Sequence, residues 1–266
     1  MVQERTGETA QRSRATGTLH RAVQVLEVLR SSSGQGRSIR QIAEHTGLSK
    51  SAVQRLLREL TELGLASQDL ATRKYQLGHR ILTLAADYRR NLDVRNIALT
   101  HMVRLRDATG ETIGLTLCLN DYIMHIEQVE SLQKLRATFD VGQRLPLWSG
   151  APSRVFLAEL SDEEVRTILD RRSPADITPV NPPDLETEIQ EIHQVRTTGY
   201  AVAFEETTTG VNTLSAPIRG SSAELVATLS ITAPSGRLNA GDADRSAPGL
   251  IAAADAISDE LGWPGR

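Results

Sequence analysis

The chain has 266 residues, enough for two domains that each bury a hydrophobic core. Its 39% apolar and 24% charged residues, with a formal net charge of -3, are typical of a soluble globular protein. The single cysteine, Cys118, excludes an internal disulfide and any cluster of thiolate metal ligands. No apolar run approaches the ~20 residues that a membrane helix needs, so we expect a cytoplasmic protein with no membrane partner.

Charge is distributed unevenly along the chain. Residues 1–80 hold 13 Lys or Arg against 7 Asp or Glu, a formal charge of +6, whereas residues 81–266 carry -9. Residues 1–16 are polar and lack an apolar segment, so we predict a disordered arm rather than a signal peptide. The basic first part favours a polyanionic partner for that part alone, although chance clustering of surface charge would give the same totals.

Residues 17–79 have the pattern of a winged helix-turn-helix domain. After a first helix with apolar residues at helical spacing, a second helix is predicted over Ser38–His45 and a third over Lys50–Leu63. Gly47 lies between them and suits the positive φ that a tight interhelical turn requires. One face of the third helix is apolar. Its N-cap and opposite face are polar or basic, with Ser49, Lys50, Ser51, Gln54, Arg55 and Arg58.

A β-hairpin wing is predicted after the third helix, from strands around Ala66–Gln68 and Lys74–Leu77. Arg73 and Lys74 stand near its tip, within reach of a phosphate. The major groove of DNA admits one helix, and Gln and Arg side chains pair with adenine and guanine edges, so we predict that the third helix reads DNA. A solvated face of an ordinary amphipathic helix, or a module that docks a protein, would carry similar side chains.

Residues 80–96 are predicted as a linker helix and residues 97–266 as a second domain, with the helical pattern broken near Asn91–Asp93. From Glu111 the period changes, and "TIGLTLCLN", "YIMHIEQVE" and "LRATFDVG" are predicted strands. Three helices, three further strands and a closing helix from Ala247 follow. This order indicates an α+β domain with a mostly antiparallel sheet.

The second domain shows little catalytic equipment. It has no GxxxxGK[ST] phosphate loop, no GxSxG elbow and no HExxH motif, and its histidines lack metal-ligand spacing. We therefore predict no metal, no cofactor and no enzyme activity. His125 and Glu127 are predicted to share one face of a strand, as a solvated or core pair rather than a site.

A site for a small ligand is indicated instead. Gly150 and Ala151 stand at the start of a predicted helix, where free backbone N–H groups bind a carboxylate. Thr213, Ser230 and Thr232 on predicted strands would add hydroxyls to an otherwise apolar pocket. Each of these residues is as well explained by a satisfied hydroxyl in or beside a sheet.

The sequence resembles the IclR family of bacterial transcriptional regulators over nearly everything after the arm. Five blocks in the family's order carry the resemblance: "SIRQIAEHTGLSKSAVQRLLREL", "KYQLGHRILTLA", "GQRLPLWSGAPSRVFLAEL", "GYAVAFEETTTGVNTLSAPI" and "ELVATLSITAP". The resemblance implies a winged helix-turn-helix, a linker helix and an effector-binding domain with a GAF-like or profilin-like fold. It also implies homodimers, often paired into homotetramers on double-stranded operator DNA.

The resemblance further implies roles for single residues. The Gly-Ala pair matches family positions whose backbone holds the effector's carboxylate, and the three hydroxyl residues match positions that line the same pocket. Trp148 stands where the family commonly has His, and Phe204 where many members have Asp. These departures favour an aromatic or medium-sized organic acid from a catabolic pathway as effector. The alternative is an enzyme that metabolises a small acid and carries a fused helix-turn-helix.

Overall fold

The computed structural model describes residues 17–32, 35–90, 93–120, 122–171 and 183–265. The chain divides into two compact units, one that ends at Tyr88 and one that begins at Arg89. This division falls inside the range 80–96 that was predicted for the linker helix. The predicted arm, 1–16, lies outside the described residues. None of the described helices combines the length and apolar character that crossing a membrane requires.

Three helices and a hairpin build the first unit. Helix α1 spans Thr18–Arg30, α2 Ile39–Thr46 and α3 Lys50–Glu62, and the wing strands are β1 Ala66–Gln68 and β2 Tyr75–Leu77. The two strands pair antiparallel. Their common core is aliphatic, with Val25, Leu29, Ile42, Val53, Leu56, Leu57, Leu60 and Ala66 buried.

Local hydrogen bonds determine where α2 and α3 begin. Ser38 and Gln41 form a capping box, in which each side chain accepts a hydrogen bond from the other residue's backbone N–H. The Ser49 side chain accepts from the N–H of Ala52 at the start of α3. Gly47 ends α2 with a φ of 70°, the left-handed conformation predicted for the turn. The predicted helix-turn-helix is confirmed.

The second unit is built around an antiparallel sheet, as predicted. Helix α4, His79–Arg90, contains the division between the two units, and α5 spans Asp93–Thr109 in the second unit. The two helices meet close to the predicted break. Six strands are described, in the order β5-β4-β3-β8-β7-β6, and neighbouring strands are antiparallel. Their bounds are β3 Thr112–Leu119, β4 Tyr122–Val129, β5 Arg144–Pro146, β6 Ala201–Phe204, β7 Val211–Arg219 and β8 Leu225–Pro234.

Helices cover the sheet. Helix α5 and the closing helix α9, Ala240–Glu260, pack on an apolar face formed by alternate residues of β3, β7 and β8. On the other side lie α6 Gly150–Leu157, α7 Asp162–Leu169 and α8 Leu185–Thr198. Helix α9 begins earlier than predicted because Asn239 caps it in a capping box.

One predicted strand is wrong. The segment "LRATFDVG", 135–142, is a loop, and the short strand β5 follows it. Side chains of β3 and β4 form hydrogen bonds with the backbone of this loop. The Thr112 hydroxyl donates to the carbonyl of Ala137 at 2.7 Å, and the Gln128 side-chain oxygen accepts from the N–H of Phe139 at 3.2 Å. The loop therefore packs across the sheet instead of extending it.

A β-bulge separates His125 from Glu127. In the β3–β4 register Leu115 lies opposite Glu127, whereas Thr116 lies opposite His125, so one residue of β4 is extra. The predicted common face is therefore wrong. Glu127 accepts a hydrogen bond of 2.6 Å from Arg95 of α5, whereas His125 lies on the other face.

Candidate functional site

The outer face of α3 carries the side chains that were predicted to contact DNA. The residues on its inner face are buried, whereas the polar and basic ones point to solvent: Ser49, Lys50, Ser51, Gln54, Arg55 and Arg58. Four of these, Ser51, Gln54, Arg55 and Arg58, line a groove of about 540 Å³ together with Tyr75 of the wing. Helix and wing thus form one continuous polar surface.

The wing tip is held in shape by Asp69. Its carboxylate accepts hydrogen bonds from the N–H groups of Thr72 at 2.8 Å and Ala71 at 2.9 Å. These hydrogen bonds hold the pKa of the Asp69 carboxyl below its ordinary value, and the bond from Thr72 has the largest effect. Arg73 follows with a φ of 59° and an exposed side chain, whereas Lys74 is half-buried. The tip therefore presents Arg73 to solvent more fully than Lys74.

The second unit contains a cavity of about 490 Å³ between the sheet, the loop before β5 and the start of α6. Five of the seven residues predicted to bind an effector line it: Gly150, Ala151, Thr213, Ser230 and Thr232. Sequence analysis placed these residues in separate segments of the chain. The fold brings them together around one chamber.

Backbone N–H groups border the cavity at the start of α6. Gly150 begins the helix with a φ of 73°, and the preceding Ser149 makes no side-chain cap. The first N–H groups of a helix have no partner within it, so a ligand is free to accept from them. Glycine suits position 150 for two reasons. The backbone there is left-handed, and a Cβ would lie only 3.0 Å from the Thr207 side chain.

The predicted hydroxyls lie on the sheet side of the cavity in cross-strand pairs. Thr213 and Thr232 have their oxygens 3.4 Å apart. Ser230 lies 2.7 Å from the buried Ser215, oxygen to oxygen. A hydroxyl both donates and accepts, so each pair retains capacity to bond a ligand.

Trp148 and Phe204 do not line the cavity, contrary to the prediction. Trp148 packs against the apolar cluster of α7 and α8, because the chain turns between it and Gly150. Phe204 ends β6 with its side chain on the opposite face to Ala203, which does line the cavity. The Phe204 side chain is 42% exposed and borders a different surface groove.

Sequence analysis missed the far wall of the cavity. Thr116, His125 and Phe139 line it, as do Arg136 and Asp140 of the loop before β5. The Nδ1 atom of His125 lies 2.9 Å from the Thr116 hydroxyl, and burial lowers the pKa of this histidine to about 4. The loop alternates apolar and polar residues and was therefore predicted as a strand, and the only signal from β4 was a histidine in a strand.

Sequence analysis also missed Arg154 in α6, although a cation within an apolar helix was a visible signal. Arg154 is buried and donates hydrogen bonds to both carboxylate oxygens of Glu188 and to both of Glu206. It also donates to the carbonyl of Val202. Burial lowers the pKa of the guanidinium, but the two carboxylates outweigh it and raise the pKa overall. Burial raises the pKa of Glu206, and Arg154 offsets part of that shift.

Two family models match the chain. The model described as the IclR helix-turn-helix domain matches residues 18–70, and that described as bacterial transcriptional regulator IclR, C-terminal, matches residues 86–259. The chain belongs to the IclR family. As an IclR-family protein it is a DNA-binding regulator of transcription, and its relatives are regulators rather than enzymes.

Individual members of the IclR family are similar over most of their length. The HTH-type transcriptional repressor AllR of Escherichia coli K12 is 30% identical over 220 residues, 83% of this chain and 81% of AllR. The crystal structure of the regulator from Alicyclobacillus acidocaldarius has a TM-score of 0.81 at 27% identity, covering 92% of this chain and 98% of that one. An IclR homolog from Microbacterium hydrocarbonoxydans, complexed with 4-hydroxybenzoate, shares the fold at a TM-score of 0.77, 23% identity and coverage of 92% and 99%.

Proposed function

We propose that this IclR-family regulator holds an operator through α3 and the wing, and that a small organic acid in the cavity controls this binding. The proposal depends above all on one observation. The cavity of about 490 Å³ joins the uncapped start of α6 to strand hydroxyls, which is the composition of a site for an anionic metabolite.

The size of the cavity supports an effector larger than a two-carbon acid. Ligand pockets for drug-sized molecules measure about 300–1,000 Å³, so the cavity suits an aromatic or medium-sized acid. In this proposal the N–H groups of Gly150 and Ala151 donate hydrogen bonds to the carboxylate, and Thr213, Ser230 and Thr232 orient the remainder. Trp148 and Phe204 have no part in it. The complex of the Microbacterium hydrocarbonoxydans protein makes 4-hydroxybenzoate the first acid to try.

We assign the DNA contacts by the chemistry of each side chain. Lys50 and Ser51 lie at the N-terminus of α3, where the helix dipole assists a phosphate contact. Gln54 and Arg55 point from the groove face of the helix and suit adenine and guanine edges. The remaining contacts go to phosphates, from Ser49, Arg58, Arg73 and Lys74.

We propose that the regulator works in the cytoplasm as a homodimer, or as a homotetramer of two such dimers. A dimer would read two half-sites about one helical turn, ~34 Å, apart. An effector that favours one arrangement of the paired reading domains would change operator affinity, with a coupling of about 1–3 kcal/mol.

The full-length protein tests the proposal on DNA from upstream of its own gene. We expect a mobility shift with steep salt dependence, because phosphate contacts release counterions. Adding an acid from a panel of aromatic and aliphatic acids should then change operator affinity. The variant Ala151→Pro removes one N–H from the start of α6 and should weaken the response, whereas Ala240→Pro, at the start of α9 and away from the cavity, should not.

Two results would contradict the proposal. If no duplex shifts even in dilute buffer, α3 does not read DNA. If every acid leaves the affinity unchanged and one of them is instead consumed, the alternative of a small-acid-metabolising enzyme with a fused helix-turn-helix becomes the better account.

A further inference from the structure

The far wall of the cavity is made of side chains to which the proposed carboxylate site gives no role. Thr116, His125 and Phe139 line this wall together. His125 is only 9% exposed, and its ring lies 4.1 Å from that of Phe139, centroid to centroid, at an angle of 31°. The wall therefore sets the imidazole against an aromatic ring and next to the Thr116 hydroxyl.

The position of the imidazole is fixed by its surroundings. The backbone N–H of His125 donates to the carbonyl of Gln143 at 3.3 Å, and its carbonyl accepts from the N–H of Gly142 at 2.7 Å. Phe139 rests on Gly114 of β3, where a Cβ would come within 2.4 Å of the ring. The imidazole is thus oriented before any ligand arrives, which lowers the entropic cost of binding.

One ring nitrogen of His125 is left for a ligand. Nδ1 is engaged by the Thr116 hydroxyl at 2.9 Å. Nε2 has no hydrogen-bond partner among the described residues and is not fully buried. Because His125 lines the cavity, this nitrogen is open to a ligand there. With its pKa lowered to about 4, the ring is neutral near pH 7. Nε2 then donates or accepts, according to which way the Thr116 hydroxyl points.

The charges near this wall disfavour a second carboxylate there. Arg136 lines the cavity, but its guanidinium is paired with Glu130 at 2.8 Å. Asp140 lines the cavity as well and would repel an anion. A neutral hydroxyl avoids both problems, since it pairs with Nε2 in either tautomer and brings no charge.

The imidazole and the start of α6 belong to different elements that border one cavity. His125 lies on β4, whereas a Cβ at Gly150 would lie 3.9 Å from Ala203 on β6. Both residues line the cavity of about 490 Å³. A ligand that reaches both points must therefore carry two separate polar groups.

We infer that His125 determines specificity, selecting effectors with a neutral hydroxyl at the end remote from the carboxylate over unsubstituted acids and dicarboxylic acids. This inference rests on the proposed function, in which the start of α6 takes the carboxylate. It assigns the hydroxy acids as the ligand class, with a carbon framework, aromatic or extended, that places the carboxylate at the start of α6 and the hydroxyl at His125.

Matched ligand triplets test this inference by calorimetry on the full-length protein. Each triplet holds an acid, its para-hydroxyl form and its para-carboxyl form, built on benzoate, phenylacetate and 3-phenylpropanoate to vary the span. In at least one triplet we expect the hydroxyl form to bind about tenfold more tightly than the other two, the usual range for one neutral hydrogen bond.

Variants of His125 identify the group responsible. His125→Phe should abolish the preference while the unsubstituted acid keeps its affinity within about threefold, and His125→Gln, which retains a donor and an acceptor, should restore much of it. Thr116→Val checks the result should His125→Phe fail to fold, since losing the hydroxyl that orients the ring should reduce the preference. His193→Phe is the matched control, because His193 is a surface residue paired with Asp162.

The outcomes separate this inference from the proposed function. If acids bind without a hydroxyl preference, or His125→Phe keeps the preference, or the para-carboxyl forms bind best, the inference is overturned and the acid effector stands. If no acid binds the wild-type protein, the proposed effector class fails first and the inference falls with it.

Discussion

Arg154 donates two hydrogen bonds to Glu188 inside the second unit, Nε to Oε1 at 2.9 Å and Nη2 to Oε2 at 2.8 Å. A second carboxylate, that of Glu206, approaches the same guanidinium at 2.8–2.9 Å. These contacts join α6 to α8 and to the segment after β6. That segment continues into Thr207 and Thr208, which line the cavity, so the cluster fixes two of its borders at once.

The first prediction concerns this cluster. Arg154→Leu should lower the free energy of unfolding of the second unit by about 3–5 kcal/mol, because it leaves buried carboxylates without a counter-charge. Chemical denaturation of the full-length protein measures this loss. Arg166→Leu is the control, since Arg166 and Glu186 form an exposed pair that is screened by solvent and should contribute little to stability. Equal losses in the two variants would contradict a special role for Arg154.

The second prediction concerns the support of Phe139. Gly114→Ala places a methyl group 2.4 Å from the ring, so it should cost about 1–3 kcal/mol in stability and weaken effector binding. Adding Phe139→Ala should recover part of the stability, because the clash disappears. Thermal unfolding and calorimetry measure both effects. Gly249→Ala in α9 has open space around the new methyl group and should not destabilise the protein, so a loss there would argue against a steric cause.

The third prediction concerns pH. The pKa of His125 is about 4 in the folded protein and near 6.5 when unfolded, so the unfolded state binds more protons between these values. Stability is fully present above pH 6.5 and is lost as the pH falls towards 4, by about 2 kcal/mol at pH 5. Glu206, with its pKa raised, acts in the opposite direction. The difference in pH slope between wild type and His125→Gln isolates the histidine, and identical slopes would refute the assignment.

The fourth prediction concerns the operator. Arg55→Ala should weaken binding by about 1–3 kcal/mol at sites with the preferred base and relax selectivity at that position. Arg73→Ala should instead weaken binding to all sequences and reduce the salt slope by about one, as expected for a phosphate contact. Titrations of full-length protein at several salt concentrations distinguish the two. Arg30→Ala, paired with Glu27 on α1, is the control, and equal behaviour of all three variants would contradict the assignment.

Elements defined by local chemistry could be predicted from the sequence. The turn at Gly47 and the N-cap at Ser49 depend on hydrogen bonds within a few residues, and the structure confirms them. The Gly-Ala pair at the start of α6 was found for the same reason, since a helix start is recognisable from its own residues. The hydroxyls of the sheet could be placed once alternation had assigned the strands.

Features that depend on distant partners could not be predicted. The loop before β5 follows its course because Thr112 and Gln128 bond its backbone, and neither lies within the loop. Trp148 and Phe204 were expected in the cavity because they stand where IclR-family members commonly have His and Asp. A turn and a strand end direct their side chains elsewhere, and only the packing of α7, α8 and the sheet determines that direction.

The bulge in β4 determines whether a bound anion meets a negative charge in the chamber. In a regular strand Glu127 would follow His125 onto the chamber side and bring a permanent negative charge with it. The additional residue turns that carboxylate to Arg95 instead. An irregularity of one residue in strand pairing thus keeps a permanent source of repulsion out of the chamber and permits a negatively charged metabolite to enter.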